Sequence, residues 1–460
     1  MRTFLKTTLL VLATSMLFAI EDNPTDNEPG EKDLQFLRDW FKEKRAVSIE
    51  DKGGDLSLSG VVRATYDNLS AKRWYLDNGQ EVGEQQYNNT DSNTAENNFG
   101  IRFDIYFDYK TCNTWTHAEV KFANDMGTQG GSTSGINLVK AYFGYRIFED
   151  GATIFDVEVG RNKNYARFDS KVQFNSFLDG VLAKYVTHFG DFLEFDIRAA
   201  GTVVDFVEKQ FGWIAQLSLN NIGGFGLYFR YAFSWWFKRG PTRVFNGEGD
   251  ALKSVTLSNN PQNRFKISQF LLGYELDPEV LHFPVNFYAA ILLNHSALRG
   301  HINPYTRNFT QGNEPQNLFG GKKEHIAWYA GLTAGKLEKK GDWSVEVTYQ
   351  VVEAQSVPEW DMAGIGNGNP NDFSIYADLL PDVSTPDDPS IPDDKGFPYG
   401  NTNFKGWNFN FGYLITTNIS IILDYSFTNE KIGDLNPATL RPFPGKSDYH
   451  DFGVQLLYAF

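Results

Sequence analysis

The sequence predicts an all-β fold, a transmembrane antiparallel β-barrel of about sixteen strands, on three observations. Apolar side chains recur with a period of two from residue 56 to the last residue. The segments joining these runs alternate between short and long. Beyond the first twenty residues, no stretch reaches the roughly 18 unbroken apolar residues that a membrane helix needs.

The alternation is clearest in three runs. Phe99, Ile101, Phe103, Ile105, Phe107 and Tyr109 alternate with Arg102, Asp104 and Asp108. Phe225, Leu227, Phe229, Tyr231, Phe233 and Trp235 do so with Gly226, Arg230 and Ser234, and Trp343, Val345, Val347, Tyr349 and Val351 with Ser344, Glu346, Thr348 and Gln350. Each is a strand with one greasy and one polar face. The same template places strands at 56–66, 99–109, 115–123, 137–147, 153–161, 181–186, 192–200, 211–219, 225–235, 266–276, 285–294, 327–334, 343–351, 406–415, 419–428 and 450–460. Links after even-numbered strands, such as 110–114 and 416–418, are turns, whereas those after odd-numbered strands, such as 67–98 and 354–403, are mostly long and polar. That rhythm suits two unlike rims of one barrel.

Composition agrees with a wall between lipid and water. Aromatic residues make up 15% of the chain although mean hydropathy is −0.39, so the rings belong to an outer band and not to a dry core. The formal charge of −15 argues against nucleic acid as a partner. One cysteine, Cys112, builds neither a disulfide nor a thiolate metal site, and no role is assigned to it.

The ends divide the chain into three parts. Residues 1–20, with Arg2 and Lys6 before an apolar run from Leu9 to Phe18, a small residue at Ala19 and acidic residues from Glu21, have the layout of a secretory signal peptide. Residues 21–54 form an N-terminal segment in which Leu34, Leu37, Trp40 and Phe41 fall on one helical face, with Arg38, Lys42 and Arg45 off it. A short amphipathic helix over 33–45 is expected, as a cap beneath the barrel or as an oligomerising or cell-wall contact. Residues 55–460 are the barrel.

On the polar phase lie Arg63, Arg102, Asp104, Glu119, Lys121, Lys140, Asp156, Glu158, Arg198 and Arg230, joined by Glu194, Asp196, Glu275, Glu346 and Asp424. Charges packed in a filled core need desolvation and pairing, so a water-filled lumen that keeps them hydrated is expected. Arg63, Arg102, Lys121 and Lys140 sit on four neighbouring strands. They form either a basic patch that favours anions or a wall stiffened by pairing with Asp104 and Glu119.

No metal or cofactor is expected. The seven histidines form no metal-binding spacing, and no nucleophile elbow is present, which leaves His295 or His301 with a distant Ser or Asp as the residual hydrolase reading. Asp387, Asp388, Asp393 and Asp394 read as a solvated loop. Gly364, Gly366 and Gly368 read as a flexible loop tip.

Two stretches carry a family resemblance. The last run has Phe452, Val454, Leu456, Tyr458 and Phe460 on one face and ends on an aromatic. Around residues 157–182, Gly160, Arg161, Phe168, Asp169, Ser170, Leu178, Asp179 and Gly180 follow a strand, loop and Asp-Gly strand start. The chain thereby resembles Gram-negative outer-membrane porins and porin-like major outer-membrane proteins. The resemblance implies short periplasmic turns, long extracellular loops and a homotrimer set in outer-membrane lipid and lipopolysaccharide. It also implies recognition of the terminal strand by the barrel-assembly machinery, and a third loop, 162–176, that bends inward with Arg167, Asp169 and Lys171 near a constriction. Where the best-known porins have an acidic loop, this one holds Lys163, Arg167 and Lys171 against Asp169. The function implied is passive diffusion of small hydrophilic solutes and ions through a water-filled pore. The alternatives are an adhesin-like surface barrel with a closed lumen, and an outer-membrane hydrolase.

Overall fold

The computed structural model describes residues 54–77, 80–86, 97–125, 136–206, 209–238, 242–245, 252–255, 264–276, 281–297, 323–366, 402–431 and 445–460. The expected signal peptide, the helix at 33–45, His301, Gly368 and the aspartates at 387–394 lie outside the described residues.

Sixteen strands make one closed antiparallel wall. They are β1 (Asp55–Asp77), β2 (Asn97–Lys110), β3 (Thr114–Asp125), β4 (Ile136–Asp150), β5 (Thr153–Lys163), β6 (Phe177–His188), β7 (Glu194–Asp205) and β8 (Gln210–Ile222). The circuit continues with β9 (Leu227–Lys238), β10 (Arg264–Leu276), β11 (Val285–Asn294), β12 (Ile326–Gly335), β13 (Trp343–Val352), β14 (Phe404–Leu414), β15 (Ile419–Glu430) and β16 (Gly445–Ala459). Each pairs with its neighbours in chain order, and β16 returns to β1 with Val61 opposite Ala459 and Tyr75 opposite Gly445. Every strand expected from the alternation is found in its place.

The strands are longer than the greasy pattern that revealed them. β1 runs to Asp77, eleven residues past the expected end at 66, because backbone pairing continues above the lipid where neither face has to be apolar. There it pairs with β16 and with a further strand, Gln80–Gln86. A separate hairpin joins Thr242–Phe245 to Leu252–Val255. Neither short element shows a sustained alternation in the sequence.

Burial follows the period of two. On β2, Phe99, Ile101 and Phe107 are exposed whereas Arg102, Asp104 and Tyr106 are buried; on β14, Trp407, Phe409, Phe411 and Tyr413 are exposed whereas Leu414 is buried. Exposed large apolar side chains occur on fourteen of the sixteen strands, including Trp213, Trp235, Leu272, Trp328 and Leu456. An apolar face this extensive on a wall that leaves no open edge is the solution lipid imposes, since hydrocarbon offers no partner to an unpaired amide. No helix among the described residues is long and apolar enough to cross a membrane.

The seam between the first and last strands is finished by Phe460. Its backbone exchanges two hydrogen bonds of 3.0 Å with Gly60, and its ring lies over that glycine, 6.1 Å from the ring of Phe103. A Cβ at position 60 would stand 2.6 Å from the Phe460 ring. Gly60→Ala is therefore expected to lift the ring off the seam and cost about 1–3 kcal/mol of stability, as overpacking does. The check is a lowered urea midpoint in the tryptophan-fluorescence unfolding curve of the detergent-solubilised barrel.

Candidate functional site

The link between β5 and β6 holds a 3-10 turn, Asn164–Ala166, and then irregular chain with bends to Ser176. At its base Gly160, with φ +134, faces Gly180 across the ladder, and a Cβ on Gly180 would lie 1.9 Å from the Gly201 carbonyl. Arg161 clamps the same base with two 2.7 Å bonds to Asp179. The link cannot lie outside the wall, because its side chains reach strands on widely separated parts of the ring. Contact with those strands together is possible only from within.

Three alternate residues of this loop attach it to the wall. Arg167 meets Glu158 on β5 at 2.6 Å, Asp169 forms an ion pair with Arg230 on β9, and Lys171 meets Glu346 on β13 at 2.6 Å. Loop charges of plus, minus and plus thus meet wall charges of minus, plus and minus on strands four apart in a ring of sixteen. Amides complete the attachment. The Asp169 N–H donates to Gln216 Oε1 at 2.8 Å, and Gln269 Nε2 donates to the Asp169 carbonyl at 2.6 Å. Lys163 stays at the base, its Nζ 4.0 Å from the centre of the Phe177 ring. The three residues expected near a constriction therefore turn toward the wall, and this explains a loop that carries both signs of charge.

A second inward segment was not foreseen. After β13 the chain from Ala354 to Ile365 is largely buried, with two 3-10 turns at Glu359–Asp361 and Gly364–Gly366. It lies beside the first loop: the Ala363 N–H donates to the Val172 carbonyl at 3.0 Å and the Asn175 N–H to the Asp361 carbonyl at 3.2 Å. The expected flexible tip at Gly364 is instead packed, its φ of +79 placing it against the Lys171 carbonyl and Gln350. Phe168, Val172 and Phe174 of one loop and Val357, Met362 and Ile365 of the other share an apolar cluster with inward residues such as Leu182, Ile214, Trp236 and Leu271. The two loops and this apolar cluster thus occupy the interior facing β6 to β14, together with the ion pairs to Arg230 and Glu346.

The other side of the interior is charged. Arg63 on β1 stands opposite Arg102 on β2, and Asp104 stands opposite Lys121 on β3. Arg102 meets Asp104 at 2.8 Å and Glu119 at 3.9 Å, and Lys140 meets Glu119 at 2.9 Å. Arg146 holds Asp156 at 2.8 Å, Trp115 Nε1 donates to Glu158 at 3.2 Å, and Arg198 pairs with Asp196 at 2.6 Å while donating to the Arg167 carbonyl at 2.5 Å. The hydrated lumen charges expected from the sequence are not what is found at Arg63, Asp104 and Glu119, which are 0%, 0% and 1% exposed. Asp104 and Glu119 each stand opposite a lysine of the next strand, so these side chains lean on one another. His295, from the residual hydrolase reading, has Nε2 2.8 Å from Ser268 Oγ, which also lies 3.2 Å from the Tyr231 hydroxyl. This is a clasp on the outward phase of β10, away from the interior. No group of metal-ligating side chains occurs among the described residues.

Two predictions come from the suspended loop. Arg230→Ala leaves the buried Asp169 carboxylate without its counter-charge, at a cost of about 3–5 kcal/mol; exchanging the charges in Asp169→Arg with Arg230→Asp is expected to recover most of that loss, read as urea midpoints of the four proteins in a double-mutant cycle. The second concerns Asp361, whose carboxylate accepts from the Phe174 and Ser176 amides at 3.2 and 3.1 Å and from the Ser176 hydroxyl at 2.6 Å. Burial outweighs these donors and pushes its pKa up to about 7. The folded protein thus holds this proton more tightly than the unfolded chain does, and stability falls as pH rises from the ordinary carboxylate value of about 4 to about 7. Subtracting the pH profile of the unfolding midpoint of Asp361→Asn from that of the unaltered protein isolates this fall.

No family model and no curated protein matches the chain. Solved structures similar to it include OmpF of Salmonella typhi in complex with daunomycin, at TM-score 0.41 and 12% identity over 90% of this chain and 100% of that one. OprB of Pseudomonas putida at high pH gives TM-score 0.43 and 10% identity over 89% and 95%, and the outer-membrane channel DcaP of Acinetobacter baumannii 0.41 and 12% over 90% and 100%. The chain itself forms a closed antiparallel β-barrel of sixteen strands.

Proposed function

We propose that the barrel is a passive channel for small hydrophilic solutes and ions. The observation that carries this reading is the division of its interior. One side is occupied by two loops over an apolar cluster, while the other, from β1 to β5, is lined with charged side chains. Water and solutes pass along the charged side, with loop 162–176 and the segment after β13 narrowing the way. Resemblance to porins supports placing the turns in the periplasm and the long loops outside, assembly as a homotrimer in lipopolysaccharide-containing membrane, and delivery through a signal peptide and the barrel-assembly machinery. Close pairing of Arg102 and Lys140 with Asp104 and Glu119 favours the stiffened wall over the basic patch, and hence weak ion selectivity. No catalytic role enters this reading.

Purified protein added to a planar bilayer is expected to give discrete conductance steps that grow with salt concentration. In a tenfold salt gradient the reversal potential is expected to lie near zero, since fixed charges that neutralise each other focus little field. Protein that inserts yet gives no step would support the closed adhesin-like barrel.

A further inference from the structure

A row of charges crosses the interior just beneath the first inward loop. Arg146, Asp156, Lys184, Arg198 and Gln216 stand opposite one another in that order on β4 to β8. Lys184 and Arg198 are on the inward phase, since Leu182, Val186, Asp196 and Ala200 on that phase are buried while Tyr185 and Ile197 face outward and are exposed. They lie one inward step from Leu182 and Ala200 of the apolar cluster, on the side of the short turns. Arg198 Nη1 donates to the Arg167 carbonyl at 2.5 Å, so the loop roofs this place.

Two cations in register on neighbouring strands repel each other, and sheets ordinarily avoid that pairing. The carboxylates nearby are engaged by arginines. Asp156 takes two bonds from Arg146, at 2.8 and 3.2 Å, Glu158 meets Arg167 at 2.6 Å, and Asp196 takes the fork of Arg198 at 2.6 Å. Arg146, Arg167, Lys184 and Arg198 against Asp156, Glu158 and Asp196 leave an excess of one positive charge, with Glu149 and Glu194 nearer the rim. The charged groups that act on Lys184 itself are Arg198, Asp196, Arg167 and Asp156. The place is open: the Arg167 and Arg198 side chains are 24% and 14% exposed, and Lys184 is half-buried. Among the described residues the other like-charged pair in register, Arg63 with Arg102, is enclosed by the wall.

We infer that Lys184 and Arg198, roofed by Arg167, bind the phosphate group of a small solute in transit. Opposed residues of neighbouring strands have Cα atoms about 5 Å apart, so both cations reach one group together. A tetrahedral oxyanion with two negative charges offers an oxygen to each of them, and such charge-assisted bonds are the strong ones. A chloride ion brings half the charge and no second oxygen. This inference rests on the channel reading for access of the solute, and it deepens that reading by naming a solute class. One excess charge among balanced pairs keeps the potassium chloride reversal potential near zero, so retention of phosphate is the signature.

The test follows inorganic phosphate by the broadening of its phosphorus NMR line on the detergent-solubilised protein, at constant ionic strength in sodium chloride. Saturable broadening is expected for the unaltered protein. Lys184→Gln is expected to weaken the affinity at least about tenfold, as loss of a charge-assisted contact does. Lys184→Arg, which keeps the charge, and Lys339→Gln, in an exposed turn, are expected to retain it. Heat-shifted gel mobility identifies the folded variants, and Lys184→Met is the second neutral variant if the first does not fold. In planar bilayers phosphate is expected to lower the potassium chloride conductance of the unaltered channel and not that of Lys184→Gln. Absence of saturable broadening, or equal affinity in a folded neutral variant, would overturn the site while leaving the channel standing. Binding that leaves the conductance unchanged would overturn its place in the passage, whereas phosphate held by a barrel that never conducts counts against the channel alone.

Discussion

The pairing of the last strand with the first is the constraint from which the rest of the structure follows. An open sheet of fifteen ladders would leave two edges of unpaired amides in hydrocarbon, at several kcal/mol for each group. Return of β16 to β1 removes both edges at once, and the Gly60 to Phe460 exchange carries the pairing to the end of the chain. Once the wall is closed, inside and outside are different solvents. Every alternate side chain is then assigned to one or the other by the pleat alone.

Closure creates an interior, and two loops decide what fills it. A loop crossing a cavity gains little from apolar contact at its tip, where the opposite wall is distant. Here the loop spends three alternate side chains, Arg167, Asp169 and Lys171, on ion pairs to β5, β9 and β13, which fixes its height and register together. Such pairs are expensive to break singly and modest in net contribution, so their value lies in specifying one arrangement. The apolar contacts then form where the second segment lies alongside, and Asp361 locks the two by capping amides at Phe174 and Ser176. Phe174 holds a φ of +78, a conformation unfavourable for a side chain of that size, and it is retained because its amide is bonded and its ring enclosed.

The sequence was most legible where one physical rule acts on every second residue. Lipid on one side and polar contents on the other leave the same mark on Phe99–Tyr109 as on Trp343–Val351, so strands separated by two hundred residues are recognised by one template. It was least legible where a single uncharged or isolated residue makes a contact across the barrel. Gln216 and Gln269 grip the Asp169 backbone, yet a glutamine on the polar phase looks like any hydrophilic lumen residue. Asp361 stands in a long polar link with no spacing to set it apart, and Gly364 reads as slack although it is packed.

By itself the sequence determined the class of fold, the number and order of strands, the face each side chain takes and the charged character of the interior, because these depend on local period and on which residues neighbour each other in the chain. Only the tertiary structure decided which charges meet, which side of the interior the loops occupy and that a second segment enters it. Those outcomes depend on distances between strands four or more places apart, and such distances exist only after the wall has curved round and closed.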